Sequence, residues 1–143
     1  MRGLIKNLEE MEEFAAEVTQ NLHGGEALLL SGPLGSGKTT FTQTLARALG
    51  VKDKVNSPSY TIAAEYVISS HPAIKKLIHV DLYRLESNAA ADPAVRDFLE
   101  QVGEPGRLTV IEWAERLGDS APKGKWLKFD YGSTESERVA FFD

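Results

Sequence analysis

The chain of 143 residues carries 16 Lys+Arg against 21 Asp+Glu, a formal net charge of −5, with 42% apolar residues and no cysteine. That length fits one domain over 1–143 with a single core, and the acidic balance argues against charge-driven nucleic-acid binding, which leaves a basic footprint. Disulfides, thiolate zinc sites and thiol nucleophiles are excluded, and with neither an apolar run of the ~20 residues a span needs nor a secretory leader, the expectation is a cytoplasmic protein without membrane association.

Asn7 followed by Glu10 has the spacing of a capping box, and Leu8, Met11, Ala15, Val18 and Leu22 recur at helical intervals, so a first helix is expected up to Gly24-Gly25. The consecutive apolar residues within Glu26–Ser31 predict a strand covered on both faces. A second helix is expected over Thr39–Leu49, burying Phe41, Leu45, Ala48 and Leu49 and stopping at Gly50. Strand-like segments at Tyr60–Ile68 and Lys75–Leu82 flank Ser69-Ser70-His71-Pro72, a turn short enough for a hairpin. Period-two alternation puts His79 and Asp81 on one face of the latter strand, with Val80 and Leu82 on the other.

Asp92-Pro93 supplies a cap and a first-turn proline for a third helix carrying Val95, Phe98, Leu99 and Val102. Leu108–Glu112 is a short buried strand, and Trp113–Leu117 makes one or two helical turns closed by Gly118. Lys125–Tyr131 and Glu137–Phe142 are two final strands. Arg96, Arg107 and Arg116 are scattered along this half and are expected on a solvated surface. Helices alternating with buried strands predict a three-layer α/β fold with mixed parallel and antiparallel pairing, like that of P-loop NTPases.

Gly32-Pro33-Leu34-Gly35-Ser36-Gly37-Lys38-Thr39 matches G-x-x-x-x-G-K-[ST] in full. Each residue type has a reason. The glycines let the backbone curl so that successive N–H groups converge on phosphate oxygens, and the following helix points its positive end at the same anion. Lys38 then reaches the β and γ phosphates, the Thr39 hydroxyl meets Mg²⁺, and Thr40 adds a further hydroxyl beside them. Chance matches in a chain this long number about 0.005 at ordinary glycine usage. Because the guanine-reading Asn-Lys-x-Asp element is missing, ATP is expected rather than GTP. Asn7, Lys6 and Arg138 are candidates for contact with the base.

A phosphate loop of this kind is usually completed by a carboxylate at the end of a second strand, held toward Mg²⁺. Asp81 and Glu112 both end strands, where ligands gather in α/β sheets, and the residues alone leave open which is the metal neighbour. An ion pair of such an acid with Arg84 is the structural alternative. Trp113, next to Glu112, reads equally as core or as a ligand's flank. Ser57, Ser59 and Thr61 lie in a polar hydroxyl segment placed where P-loop proteins sense the γ-phosphate.

Taken together, these residues resemble the TsaE (YjeE) family, small P-loop ATPases of bacterial tRNA threonylcarbamoyladenosine synthesis. The resemblance rests on Gly32–Thr39, Ser57-Pro58-Ser59-Tyr60-Thr61, His79-Val80-Asp81-Leu82-Tyr83-Arg84-Leu85 and Glu112-Trp113, in that order. It implies ATP and Mg²⁺ as ligands, phosphate held by Lys38, and Thr39 and Glu112 beside the metal. It also implies a hydrolytic or second metal-side role for Asp81 and a switch over Ser57–Thr61. The implied partners are TsaD-like and TsaB-like proteins, with tRNA reached only through them, and the implied task is to power a reset of that complex. The chain departs from the family pattern at Pro33 (usually Asp), at Ala114 (usually Pro), at Met11 (commonly Thr) and over Glu86–Asp92. A small-molecule kinase is the alternative enzyme, although no Arg-rich lid segment is evident; a nucleotide-binding module with negligible turnover is the third reading.

Overall fold

The computed structural model describes residues 2–56, 62–85, 88–134 and 137–142. The apolar run of strand β2 (Ala27–Ser31) becomes the centre of the molecule. Leu28, Leu29 and Leu30 are fully buried, each burial contributing roughly 1.5–3 kcal/mol. Two parallel neighbours, β5 (Arg107–Glu112) and β6 (Lys125–Tyr131), cover its edges. Beyond β5 lies β4 (Lys76–Asp81), again parallel, then β3 (Ala63–Val67), antiparallel. On the other side β7 (Arg138–Phe142) and β1 (Arg2–Ile5) continue the sheet antiparallel from β6. The order is β1-β7-β6-β2-β5-β4-β3 in a seven-stranded mixed sheet.

Helices cover both faces. On one face α1 (Leu8–Gln20) and α2 (Lys38–Ala48) pack Met11, Ala15, Val18, Phe41 and Leu45 against Leu28, Leu30, Leu77 and Val110. On the other, α3 (Pro93–Gln101) and the 3-10 turns Ala89–Ala91 and Ala114–Ser120 pack against Leu29, Ile78, Val80 and Ile111. The sheet separates these two cores, so the three-layer α/β architecture predicted from the alternation is the one formed. The period-two reading of β4 holds as well: Leu77 faces α1 and α2, whereas Ile78, Val80 and Leu82 face α3.

Several local expectations need correcting. β1 was not expected; four residues that include a glycine carry too little pattern to register as a strand, and only the antiparallel pairing with β7 fixes them. In α2, Ala46 is buried and Ala48 faces solvent, because the buried stripe runs through Thr42 and Ala46 one turn apart. The cap of α1 is half a capping box: Asn7 Oδ1 accepts the Glu10 N–H at 2.9 Å, but Glu10 turns its carboxylate to the Lys6 N–H at 3.2 Å. Arg107 is 8% exposed, buried at the start of β5 rather than solvated. Asp92 caps α3 as expected, accepting the Ala94 N–H at 2.8 Å. Among the described residues no helix is long and apolar enough to cross a membrane.

Candidate functional site

The segment after β2 is shaped by glycine. Gly32, Gly35 and Gly37 all take positive φ, and at Gly32 a Cβ would lie 2.4 Å from the Phe129 carbonyl oxygen and 2.8 Å from Ser36 Oγ. The Gly32–Thr39 loop is held from outside by the β6–β7 hairpin. The Tyr131 hydroxyl donates to the Leu34 carbonyl, and Arg138 Nε donates to the Gly35 carbonyl at 3.0 Å. Carbonyls drawn outward in a curled, glycine-rich turn are the counterpart of amides gathered into an anion-binding concavity.

Lys38 opens α2 with its side chain folded back under the loop. Its Nζ donates to the carbonyls of Gly32 and Pro33, the latter at 2.9 Å, and stands 3.4 Å from Ser36 Oγ. The ammonium also lies 4.1 Å from the centroid of the Trp113 ring. Burial lowers the Lys38 pKa from its ordinary value of 10.5; the carboxylates of Glu115, Glu112 and Asp81 oppose that shift, while Arg116 adds to it.

Thr39 and Glu112 meet directly: the threonine hydroxyl donates to Glu112 Oε1 at 2.7 Å. Glu112 is 1% exposed, and its other oxygen, Oε2, is hydrogen-bonded to His79 Nε2. Asp81 lies directly opposite Glu112 in the β4–β5 register, and its Oδ1 accepts the Tyr83 N–H at 3.0 Å. The Thr39 hydroxyl and these two carboxylates form an all-oxygen donor set of the kind that suits a hard cation such as Mg²⁺. Among the described residues no group of three or more His, Cys, Asp or Glu side chains forms a metal cage.

Loop, carboxylates and α1 border one cleft of about 640 Å³. Of the residues singled out from sequence, it is lined by Asn7, Leu34, Gly35, Gly37, Lys38, Thr39, Thr40, Asp81, Glu112, Trp113 and Arg138. Pro33 and Ser36 are not on its wall; Ser36 is fully buried beneath the loop, and Pro33 contributes its carbonyl to Lys38. Ser57, Ser59 and Thr61 lie outside the described residues. Trp113 is both core and flank: it packs against the α3-side core and also lines the cleft. Its φ of 60° makes it the one non-glycine residue with positive φ among those described.

Sequence reading missed part of the wall. Ile5, Leu8 and Met11 form an apolar side, concealed because β1 was not expected and because Leu8 and Met11 registered only as part of a helical repeat. Arg116 corrects the expectation of scattered surface charge. Its Nη1 donates to the carbonyls of Leu82 at 3.1 Å, Tyr83, and Leu85 at 2.6 Å, and its guanidinium carbon lies 4.6 Å from the Trp113 centroid. It therefore holds the turn after Asp81 and the far side of Trp113 together. Glu115 was also overlooked; its Oε2 is 3.4 Å from the Gly32 N–H.

Comparison with known proteins agrees with this geometry. The sequence model of the family described as threonylcarbamoyl adenosine biosynthesis protein TsaE matches residues 5–140. The chain is 38% identical over 115 residues to the tRNA threonylcarbamoyladenosine biosynthesis protein TsaE of Aquifex aeolicus, covering 79% of this chain and 76% of that protein. To the TsaE protein of Synechocystis it is 33% identical over 117 residues, covering 82% and 72%. Among solved structures, the crystal structure of Bacillus subtilis YdiB aligns with a TM-score of 0.71 at 26% identity, over 99% of this chain and 83% of that one. The matched span runs from the end of β1 to the middle of β7 and takes in every wall of the cleft, and the chain belongs to the TsaE family of tRNA threonylcarbamoyladenosine biosynthesis proteins.

Proposed function

We propose that this protein is the ATP-binding and ATP-hydrolysing subunit of the cytoplasmic assembly that makes threonylcarbamoyladenosine in tRNA. In this reading it drives a nucleotide-dependent reset of TsaD-like and TsaB-like partners and leaves the group transfer to them. The observation that carries the reading is the 2.7 Å hydrogen bond between Thr39 and Glu112. It joins a Gly-x-x-x-x-Gly-Lys-Thr loop to a strand-end carboxylate at the edge of one cleft, the pairing that phosphoryl chemistry requires.

Lys38 exchanges the neutral carbonyls of Gly32 and Pro33 for charged β- and γ-phosphate oxygens, so that bonds with one ionised partner become bonds with two. Thr39 and Glu112 would hold Mg²⁺, which would draw charge from the phosphate oxygens. Asp81, whose carboxylate is only partly buried, would orient the attacking water. The apolar wall of Ile5, Leu8 and Met11 suits a purine face, and with no guanine-reading element in the sequence the expected base is adenine. Calorimetry should therefore give tighter binding of ATP and ADP than of GTP and GDP.

The deciding experiment is phosphate release from ATP, measured with the chain alone and with both partners. Slow release that accelerates with the partners is expected. Absence of turnover in both conditions would overturn the reading, and transfer of phosphate to an added metabolite would replace it with a kinase.

A further inference from the structure

His79 has no part in the chemistry above, yet it is fully buried and bonded to a residue that does. It lies two residues before Asp81 on the same face of β4, which directs it beneath the cleft toward Glu112 on the neighbouring strand. Its Nε2 meets Glu112 Oε2, whereas Glu112 Oε1 takes the Thr39 hydroxyl. Among the described residues, His79 Nδ1 is buried without a hydrogen-bond partner. A proton on Nδ1 would thus be buried with no acceptor, and the hydrogen-bonding pattern fits the tautomer that carries its proton on Nε2.

We infer that His79 is a positioning residue: by donating from Nε2 to one oxygen of Glu112, it fixes the carboxylate plane and keeps the other oxygen at Thr39, where Mg²⁺ is bound. Glu112 is buried, and a buried carboxylate that loses a donor turns to find another. That turn takes an oxygen away from the Thr39 side. The orienting contact comes from the floor of the sheet, so it operates whether or not nucleotide is present. Partners that orient metal ligands in this way typically change metal affinity about 10- to 100-fold when removed.

This inference rests on the Mg²⁺–nucleotide reading of the site, and its test separates the two. ADP binding is titrated by calorimetry at a series of Mg²⁺ concentrations, and also in EDTA, for the wild type, His79→Leu, His79→Gln and His79→Asn. His79→Leu is expected to raise the Mg²⁺ midpoint about 10-fold or more, with metal-free ADP binding changed less than about twofold. His79→Gln, whose amide nitrogen reaches the place of Nε2, is expected to restore most of the midpoint, and His79→Asn, whose amide falls short, to resemble His79→Leu. If His79→Leu does not fold, the contrast between Gln and Asn carries the test alone. Equal Mg²⁺ midpoints in all variants, or a loss that is just as large in EDTA, would overturn the inference and leave the site reading intact. A wild-type chain whose ADP binding ignores Mg²⁺ would overturn the site reading and this inference with it.

Discussion

Lys38 is held in a position that costs the fold something. Burial lowers its pKa, and its ammonium is satisfied by carbonyls and an aromatic face. Because the folded-state pKa lies below the ordinary 10.5, the unfolded chain binds more protons in the window just beneath that value. The penalty from Lys38 is therefore fully present at lower pH and relieved as pH rises through the window. Lys38→Met should raise the thermal midpoint of the nucleotide-free protein at neutral pH, while weakening ADP binding about 10- to 100-fold through the loss of charged hydrogen bonds. A lowered midpoint by calorimetric unfolding would contradict this. The two acids should divide differently. A metal ligand acts in the ground state, whereas a water-orienting group acts chiefly in the transition state. Glu112→Ala is thus expected to weaken Mg²⁺-dependent ADP binding about 10-fold or more. Asp81→Ala should retain binding and lower kcat about 100-fold or more. Paired binding and single-turnover measurements decide this, and the reverse pattern would exchange the two roles. At this scale Lys38, Thr39 and Glu112 were legible because each is spelled by a motif. Arg116 was not: its bonds reach carbonyls more than thirty residues earlier in the chain, and no local pattern marks such a clamp.

At the scale of elements, the loop's shape depends on two different demands on glycine, which can be separated. At Gly32 both φ and space forbid a side chain, since the nearest atom to an added Cβ is a backbone oxygen at 2.4 Å. Gly35 also has positive φ, but among the described residues nothing lies within 4 Å of an added Cβ. Gly35→Ala should cost about 1–2 kcal/mol, the left-handed penalty alone, and Gly32→Ala clearly more, because the Phe129 backbone cannot yield without disturbing β6. Denaturant midpoints measure both, and equal losses would contradict the steric argument. The helices and central strands were readable from apolar spacing because each buries a regular face. Boundaries set by pairing were not: β1 exists through its register with β7, and the apolar wall it begins went unseen with it. The order of strands was beyond reach for the same reason, since β2 finds both its neighbours, β5 and β6, far along the chain.

Considered as a whole, the molecule concentrates its polar machinery at one end of the sheet. The carboxyl ends of β2, β4 and β5 deliver the loop, Asp81 and Glu112, and β1, β7 and α1 close the cleft from the far side. The cleft is sized for one nucleotide-like ligand, and in the proposed reading the energy of ATP hydrolysis would be used elsewhere. A bound nucleotide shifts a partner's equilibrium only through a differential affinity for two states of the protein. The cleft offers a means of creating such a difference: Lys38 contacts both the loop and Trp113, and Arg116 links Trp113 to the turn after Asp81. If Lys38 binds a γ-phosphate, its movement would disturb a stacked group that reaches the surface at Tyr83, which is half exposed. The TsaD-like and TsaB-like partners are accordingly expected to bind the ATP-analogue form and the ADP form with affinities differing about 5- to 150-fold, the range of typical coupling energies. Trp113→Phe should reduce that ratio while preserving ADP binding within a few-fold, because the smaller ring weakens the cation–π link without removing a phosphate ligand. Surface-binding measurements with immobilised partners test both statements. Equal partner affinity for the two nucleotide forms of the wild type would rule out a nucleotide-driven reset, and an unchanged ratio in Trp113→Phe would place the coupling in another part of the molecule.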